Sequence, residues 1–282
     1  MKGHLADTEG RTLGLVNHVL WIGGPPRSGK TAIARQLARR HGMRLYSADT
    51  QTWAHRDRAL EAGIESAQRW ESLAPSERWK HPPDELLAMS LHIERGPMVI
   101  EDLRALPVSP LIVAEGSTLP ASAITSGTAD RSRVVWLLPT PEFQGAQIAE
   151  LETLEGRAAL YWLLREMAES DARDHEVLTF AVDGSKGVVE TVDVVEKLFR
   201  EALETGPLAE TLGERRELLR EMNEAVVNQV RSYYARPWSE GDPDLVQQLF
   251  ACECGRRDCF VDLHVTVAEA TAAPVLAAGH RW

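Results

Sequence analysis

The chain has 282 residues, a formal net charge of -11, 44% hydrophobic and 26% charged residues. That is the composition of a folding globular protein and not of a disordered one. The acidic balance speaks against a general nucleic-acid binder, which needs clustered Lys and Arg to neutralise phosphates, and no run of roughly 18 apolar residues offers a membrane helix.

The first segment, MKGHLADTEGRTLG, lacks the apolar stretch of a secretion leader, so a cytoplasmic location is expected. Residues 18–22 read as a strand, and Trp21-Ile-Gly-Gly-Pro-Pro-Arg-Ser-Gly-Lys-Thr31 follows with the pattern G-x-x-x-x-G-K-T over Gly24 to Thr31. A strand before this motif and a helix after it are the context in which such a loop cradles phosphates, through backbone N–H groups and the positive end of the helix. Pro25 and Pro26 carry no N–H, so the donors fall at Ser28 to Thr31. Gly29 lets the backbone approach, Lys30 reaches the outer phosphates, and the Thr31 hydroxyl is the expected Mg2+ ligand.

Residues 31–41 have helical spacing, with Ile33, Leu37 and Ala38 on one face and Gly42 as a left-handed cap. The strand at 43–46 leads to Asp49, either a base for a substrate hydroxyl or a helix N-cap. Between 50 and 110 the order is hard to read and helices covering the substrate side are expected. Trp53, Trp70 and Trp79 there either pack or stack on a flat acceptor, and Glu101 and Asp102 read as a solvated helix face. The apolar run 111–114 ends in Glu115, placed to hold magnesium unless it is a paired structural acid. Strands follow at 134–138 and 178–182, and a helix spans 188–205. Another helix carries Leu219, Met222, Val226 and Val230 on one stripe. Brief apolar runs alternating with helices imply parallel βαβ units covered on both faces.

Together, Gly23-Gly-Pro-Pro-Arg-Ser-Gly-Lys-Thr31, Ser47-Ala-Asp49 and Val113-Ala-Glu-Gly116 resemble the small-molecule kinases of the nucleoside and nucleotide kinase-like P-loop group. The resemblance covers about residues 16–200. It implies an α/β fold with a five-stranded parallel sheet of order 2-3-1-4-5, ATP as donor with Mg2+, and transfer to a hydroxyl of a small molecule. It also implies a lid beyond the fourth strand, where Arg157 and Arg165 either reach the transferring phosphoryl group or face solvent. A loop at Gly184 would border the adenine base or be an ordinary turn. The acceptor pocket resembles nothing identifiable.

Cys252-Glu-Cys-Gly-Arg-Arg-Asp-Cys259 holds all three cysteines, an odd number that speaks against a disulfide framework. The thiols are either free or three ligands of a structural Zn2+, completed by His280 rather than His264, which lies in a strand-like alternation. This segment resembles a cysteine-containing module of actinobacterial proteins. The expected organisation is a P-loop domain over 1–205 and a helix plus Cys-rich module over 206–282. The alternative function is a nucleotide-dependent regulatory ATPase or switch, contacting a protein partner or a second copy through that module.

Overall fold

The computed structural model describes residues 15–150 and 155–282, and the leader reading of the first fourteen residues lies outside them. The chain runs β1 (Val19–Gly23), α1 (Lys30–His41) and β2 (Arg44–Ser47), then five helices before β3. These are α2 (Thr52–Glu61), α3 (Glu65–Ser72), α4 (Pro75–Arg78), α5 (Pro83–Met89) and α6 (Arg95–Ala105). β3 (Ile112–Glu115), α7 (Ser122–Thr125), β4 (Val134–Pro139), α8 (Pro141–Ala149), α9 (Glu155–Asp174) and β5 (Thr179–Val182) complete the sheet. Then come α10 (Val188–Leu198), α11 (Arg200–Thr205), α12 (Leu212–Tyr234), β6 (Gln247–Ala251), β7 (Asp262–Thr266) and α13 (Val267–Ala272).

The five strands are parallel in the order β2-β3-β1-β4-β5, as the resemblance implied, and β6 and β7 form a separate antiparallel pair. Successive side chains of a strand face opposite ways. Leu20 and Ile22 accordingly join Ile33, Leu37, Val192 and Val195 on one side of the sheet. Val19 and Trp21 join Val99, Leu103, Ala168 and Ala172 on the other. β5 departs from the double coverage expected of it, because it is the edge strand and exposes Thr179 and Ala181. Gly42 caps α1 in the left-handed conformation, its N–H donating to the Ala38 carbonyl at 2.8 Å.

One expectation changes in detail. The helix read over 188–205 breaks at Phe199, which has φ -95 and ψ 11 between α10 and α11 and is buried in the sheet core. The segment after 205 shares part of the sheet's core. Leu219 and Met222 of α12 and Ala251 of β6 belong to the same buried cluster as Leu37, Met43 and Val113. The C-terminal residues also have a smaller cluster, built on Val227, Phe250 and Val267. No helix among the described residues is long and apolar enough to cross a membrane.

Candidate active site

Strand order explains why residues far apart in sequence meet at one edge of the sheet. β3 lies between β2 and β1, and the register pairs Glu115 with Ile22 on one side and Ser47 on the other. The loop after β1, the turn after β2 and the end of β3 therefore converge at the carboxyl ends of the strands, where α/β folds collect ligands.

The phosphate-type loop has the geometry its sequence suggests. Gly29 sits at the N-cap of α1 with φ +83, a left-handed conformation that favours glycine. Gly24, at φ +128, lies so close to β4 that a Cβ would run into the Leu137 carbonyl oxygen. Arg27 adopts φ 66 without being glycine, backbone strain of the kind kept at functional loops. The buried Lys30 ammonium donates to the Pro25 carbonyl at 2.8 Å and to Ser28 Oγ at 3.5 Å. Burial pulls its pKa down, and the charges of Glu115 and Asp49 oppose that.

Glu115 is fully buried and accepts hydrogen bonds from Ser47 Oγ and, at 3.1 Å, from Thr31 Oγ1. Burial and then the charge of Asp49 push its pKa up to about 7, with Lys30 pulling the other way. A buried carboxylate beside a threonine hydroxyl at the start of the loop helix is a donor set that fits Mg2+, a hard cation needing oxygen ligands. Asp49 lies in a 3-10 turn (Ala48–Gln51), and neither that turn nor α2 is capped by an aspartate side chain. The N-cap reading of Asp49 thus has no hydrogen bond behind it, and its exposed carboxylate lines a cavity of about 590 Å3.

That cavity joins Lys30, Thr31 and Gly29 to a second wall made by α2, α3, α5 and α9. Trp53, Trp70 and Trp79 all line it. The packing reading holds for Trp70, which joins Leu86, Met89, Leu160 and Leu164 in one cluster. Trp70 stands edge-on to Trp79 with centroids 5.4 Å apart. The cavity is strongly cationic: Arg27, Arg56 and Arg95 line it along with Lys30, against Asp49. Burial draws Arg56 down to about 10, so it stays charged at neutral pH. His92, also on the wall, is lowered to about 4 by burial and then by Arg95, and is neutral there.

Arg95 is held from behind. Its Nε donates to His55 Nδ1 at 3.2 Å and its Nη2 to the Ala48 carbonyl. His55 Nε2 lies 2.8 Å from Asp102 Oδ2, which also accepts from Tyr46 Oη at 2.7 Å, while Asp102 Oδ1 accepts from Arg58 at 2.8 Å. Asp102, read as part of a solvated face, is instead the acceptor of a half-buried network. Glu101 pairs with Arg58 near the surface.

The two arginines expected on a lid both stand on α9, beyond the fourth strand. Arg157 stacks on the Trp79 ring at 4.4 Å, and Arg165 pairs with Glu169 at 2.5 Å and donates to the Pro139 carbonyl at 3.4 Å. Neither lines the cavity. Gly184, at φ +81, lies in the turn Asp183-Gly-Ser185 against Phe143 and is not on the cavity wall either. Arg27 could have been flagged from sequence, since it stands inside the motif. Arg56, His92 and Arg95 carry no spacing signal in the unreadable 50–110 interval.

At the far end of the chain, Cys252, Cys254, Cys259 and His280 converge, with His264 exposed on β7 and outside the set. No family model and no curated protein matches the chain. Among solved structures it is similar to shikimate kinase from Acinetobacter baumannii in complex with shikimate, at 19% identity, over 66% of this chain and 93% of that one, with a TM-score of 0.36.

Proposed function

We propose that this chain is an ATP-dependent phosphotransferase that moves a phosphoryl group to a hydroxyl of a small molecule. One observation carries the reading: the cavity that holds the phosphate-type loop also holds the Asp49 carboxylate and an aromatic, arginine-lined wall. Hydrolysis or switching requires no such enclosure beside the phosphates. On this reading Lys30 contacts the β and γ phosphates, and Ser28, Gly29 and the start of α1 cradle them with Gly24 shaping the loop. Thr31 and Glu115 are the side chains that would hold Mg2+, which supplies charge neutralisation at the phosphates. Asp49 orients the acceptor hydroxyl and takes its proton as the oxygen bonds to phosphorus and ADP leaves.

Arg95, set toward Asp49 by His55 and Asp102, is the cavity cation best placed to orient the acceptor. Arg157, Arg165 and Gly184 enter only if the segment beyond β4 closes over the nucleotide, since the present geometry keeps them off the cavity. The cofactors are ATP and Mg2+, with one structural Zn2+ at Cys252, Cys254, Cys259 and His280.

The test is ATP consumption across a panel of hydroxyl-bearing metabolites, read above the no-acceptor background, with Lys30→Ala as control. Stimulation by one compound class that vanishes in the variant is the expected result. Hydrolysis that no acceptor stimulates would favour the regulatory ATPase acting on a protein partner through its C-terminal segment. Undiminished turnover in Lys30→Ala would remove the loop assignment itself.

A further inference from the structure

The C-terminal cluster is assembled from separate stretches of chain. Cys252 follows β6, Cys254 and Cys259 lie in the loop toward β7, and His280 returns from the tail. All three thiols are buried and free, and the four ligand atoms lie within 4.8 Å of one another. His280 Nδ1 is 3.3 Å from Cys252 Sγ and 3.6 Å from Cys259 Sγ. Bonds of about 2.3 Å to sulfur and 2.0 Å to nitrogen give a zinc tetrahedron edges of roughly 3.5 to 3.8 Å, so these separations already suit the ion. The Ala277 N–H donates to Cys252 Sγ at 3.3 Å, the outer-sphere support a thiolate ligand takes.

The segment carrying these ligands also meets the last turns of the phosphate-loop helix. Arg39, on the last turns of α1 with its side chain 4% exposed, donates to the Val261 carbonyl at 2.8 Å and pairs with Asp262 at 2.7 Å. Its guanidinium also lies 5.8 Å from the Phe260 ring centroid. Arg35, one turn earlier, reaches the same Asp262 oxygen at 3.0 Å. Arg215 of α12 ties the two together, donating to the Gly255 carbonyl at 2.9 Å and to the Arg39 carbonyl. Arg216 adds a bond to the Cys254 carbonyl at 3.3 Å. Buried guanidinium groups are costly unless their acceptors stay in place. Here Asp262 opens β7, Val261 lies just before it with its carbonyl also accepting from the Cys252 N–H at 3.0 Å, and Gly255 stands in the β6–β7 connection that carries the ligand cluster.

We infer that Cys252, Cys254, Cys259 and His280 hold a structural Zn2+ whose role is to fix the Gly255, Val261 and Asp262 acceptors under α1, so that metal occupancy and nucleotide binding are linked. The linkage rests on the phosphotransferase reading for its nucleotide end. Three thiolates and an imidazole close the tetrahedron and leave no position for a substrate. By reciprocity, whatever the ion contributes to nucleotide affinity, the nucleotide contributes to retention of the ion.

The experiment uses the full chain purified without added metal. Elemental analysis gives zinc content, and calorimetry gives ADP affinity for the loaded protein, the chelator-stripped protein, Arg39→Met and Lys30→Ala. The expected result is about one zinc per chain. ADP affinity should fall by roughly 10-fold on stripping, the scale of an ordinary coupling free energy, and return when Zn2+ is added back. Arg39→Met should keep its zinc and bind ADP more weakly than the unmodified protein. This arm does not depend on the stripped protein staying folded. Zinc near zero in the unmodified protein overturns the metal site. Full zinc with unchanged ADP affinity in Arg39→Met, or unchanged ADP affinity in a stripped protein that stays folded, overturns the linkage. Lys30→Ala that keeps zinc but binds ADP normally would instead remove the phosphate-loop reading and leave the metal site standing.

Discussion

Asp49 and Asp102 are two carboxylates whose charges both act on Arg95, and their surroundings give them opposite tasks. Asp49 is exposed to the cavity and caps no helix, so Asp49→Asn keeps the shape but removes the base. Acceptor-dependent turnover should fall by roughly 100-fold or more, with ADP affinity nearly unchanged. A loss of thermal stability with turnover intact would identify Asp49 as a structural residue. Asp102 accepts from His55, Tyr46 and Arg58 at once. Burial alone would raise its pKa, yet the hydrogen bonds from His55 and Tyr46 and the charge of Arg58 hold it below its usual 3.8. A carboxylate depressed in the folded state stabilises the protein fully above the unfolded value and loses that contribution as pH falls through the folded one. Asp102→Asn should therefore cost about 1 to 3 kcal/mol at pH 7. In urea melts at stepped pH the gap to the unmodified protein should close below about 3.8, the unperturbed value. A gap that stays constant down to pH 3 would show that the charge of Asp102 contributes nothing.

Elements with a strong local signal were legible in the sequence, and those defined only by tertiary contacts were not. The five sheet strands lie within a residue of their expected bounds, because each is an apolar run between turn-forming residues. The residues at their carboxyl ends, Lys30, Thr31, Asp49 and Glu115, followed from the same reading and do converge at one edge. The helices between 50 and 110 resisted it, since they are short and their buried residues include His55, Arg56, Arg78 and Arg95, which patterning assigns to solvent. The cationic half of the cavity stayed hidden for that reason. The break at Phe199 was equally illegible, because neither Gly nor Pro marks it. Gly116 offers a check on how tightly β3 is set against the turn after β2. It has φ +153, and a Cβ there would lie 2.6 Å from the Cβ of the buried Ala48. Gly116→Ala must move Ala48 or the end of β3, and overpacking of this kind costs roughly 1 to 3 kcal/mol. A urea midpoint equal to that of the unmodified protein would mean the two elements are more loosely set than their spacing implies.

On the scale of the whole molecule, the core runs unbroken through the point where composition suggests a boundary. The Gly206-Pro207 pair ends α11, and a chain read by its punctuation divides there. Yet α12 lays Leu219 and Met222 on the cluster that holds Leu37 and Met43, and the Pro207 carbonyl accepts from the Leu111 N–H at 2.8 Å. The chain just past the same helix reaches α2 and α3, where Arg236 pairs with Asp57 at 2.7 Å and Trp238 donates to Glu71 at 2.5 Å. A fragment ending at residue 205 would expose the apolar faces that Leu219 and Met222 cover and strip Arg39 of its acceptors. Each large apolar side chain uncovered costs about 1.5 to 3 kcal/mol, and the side chains that the segment after 205 covers include Leu37, Met43 and Val113. Their sum rivals the roughly 5 to 15 kcal/mol of a whole domain. The full chain should therefore unfold in one cooperative calorimetric transition, and the 1–205 fragment should show none and bind no ADP. A fragment that melts cooperatively and binds ADP like the full chain would make residues 206–282 a separable module, as the composition alone suggests.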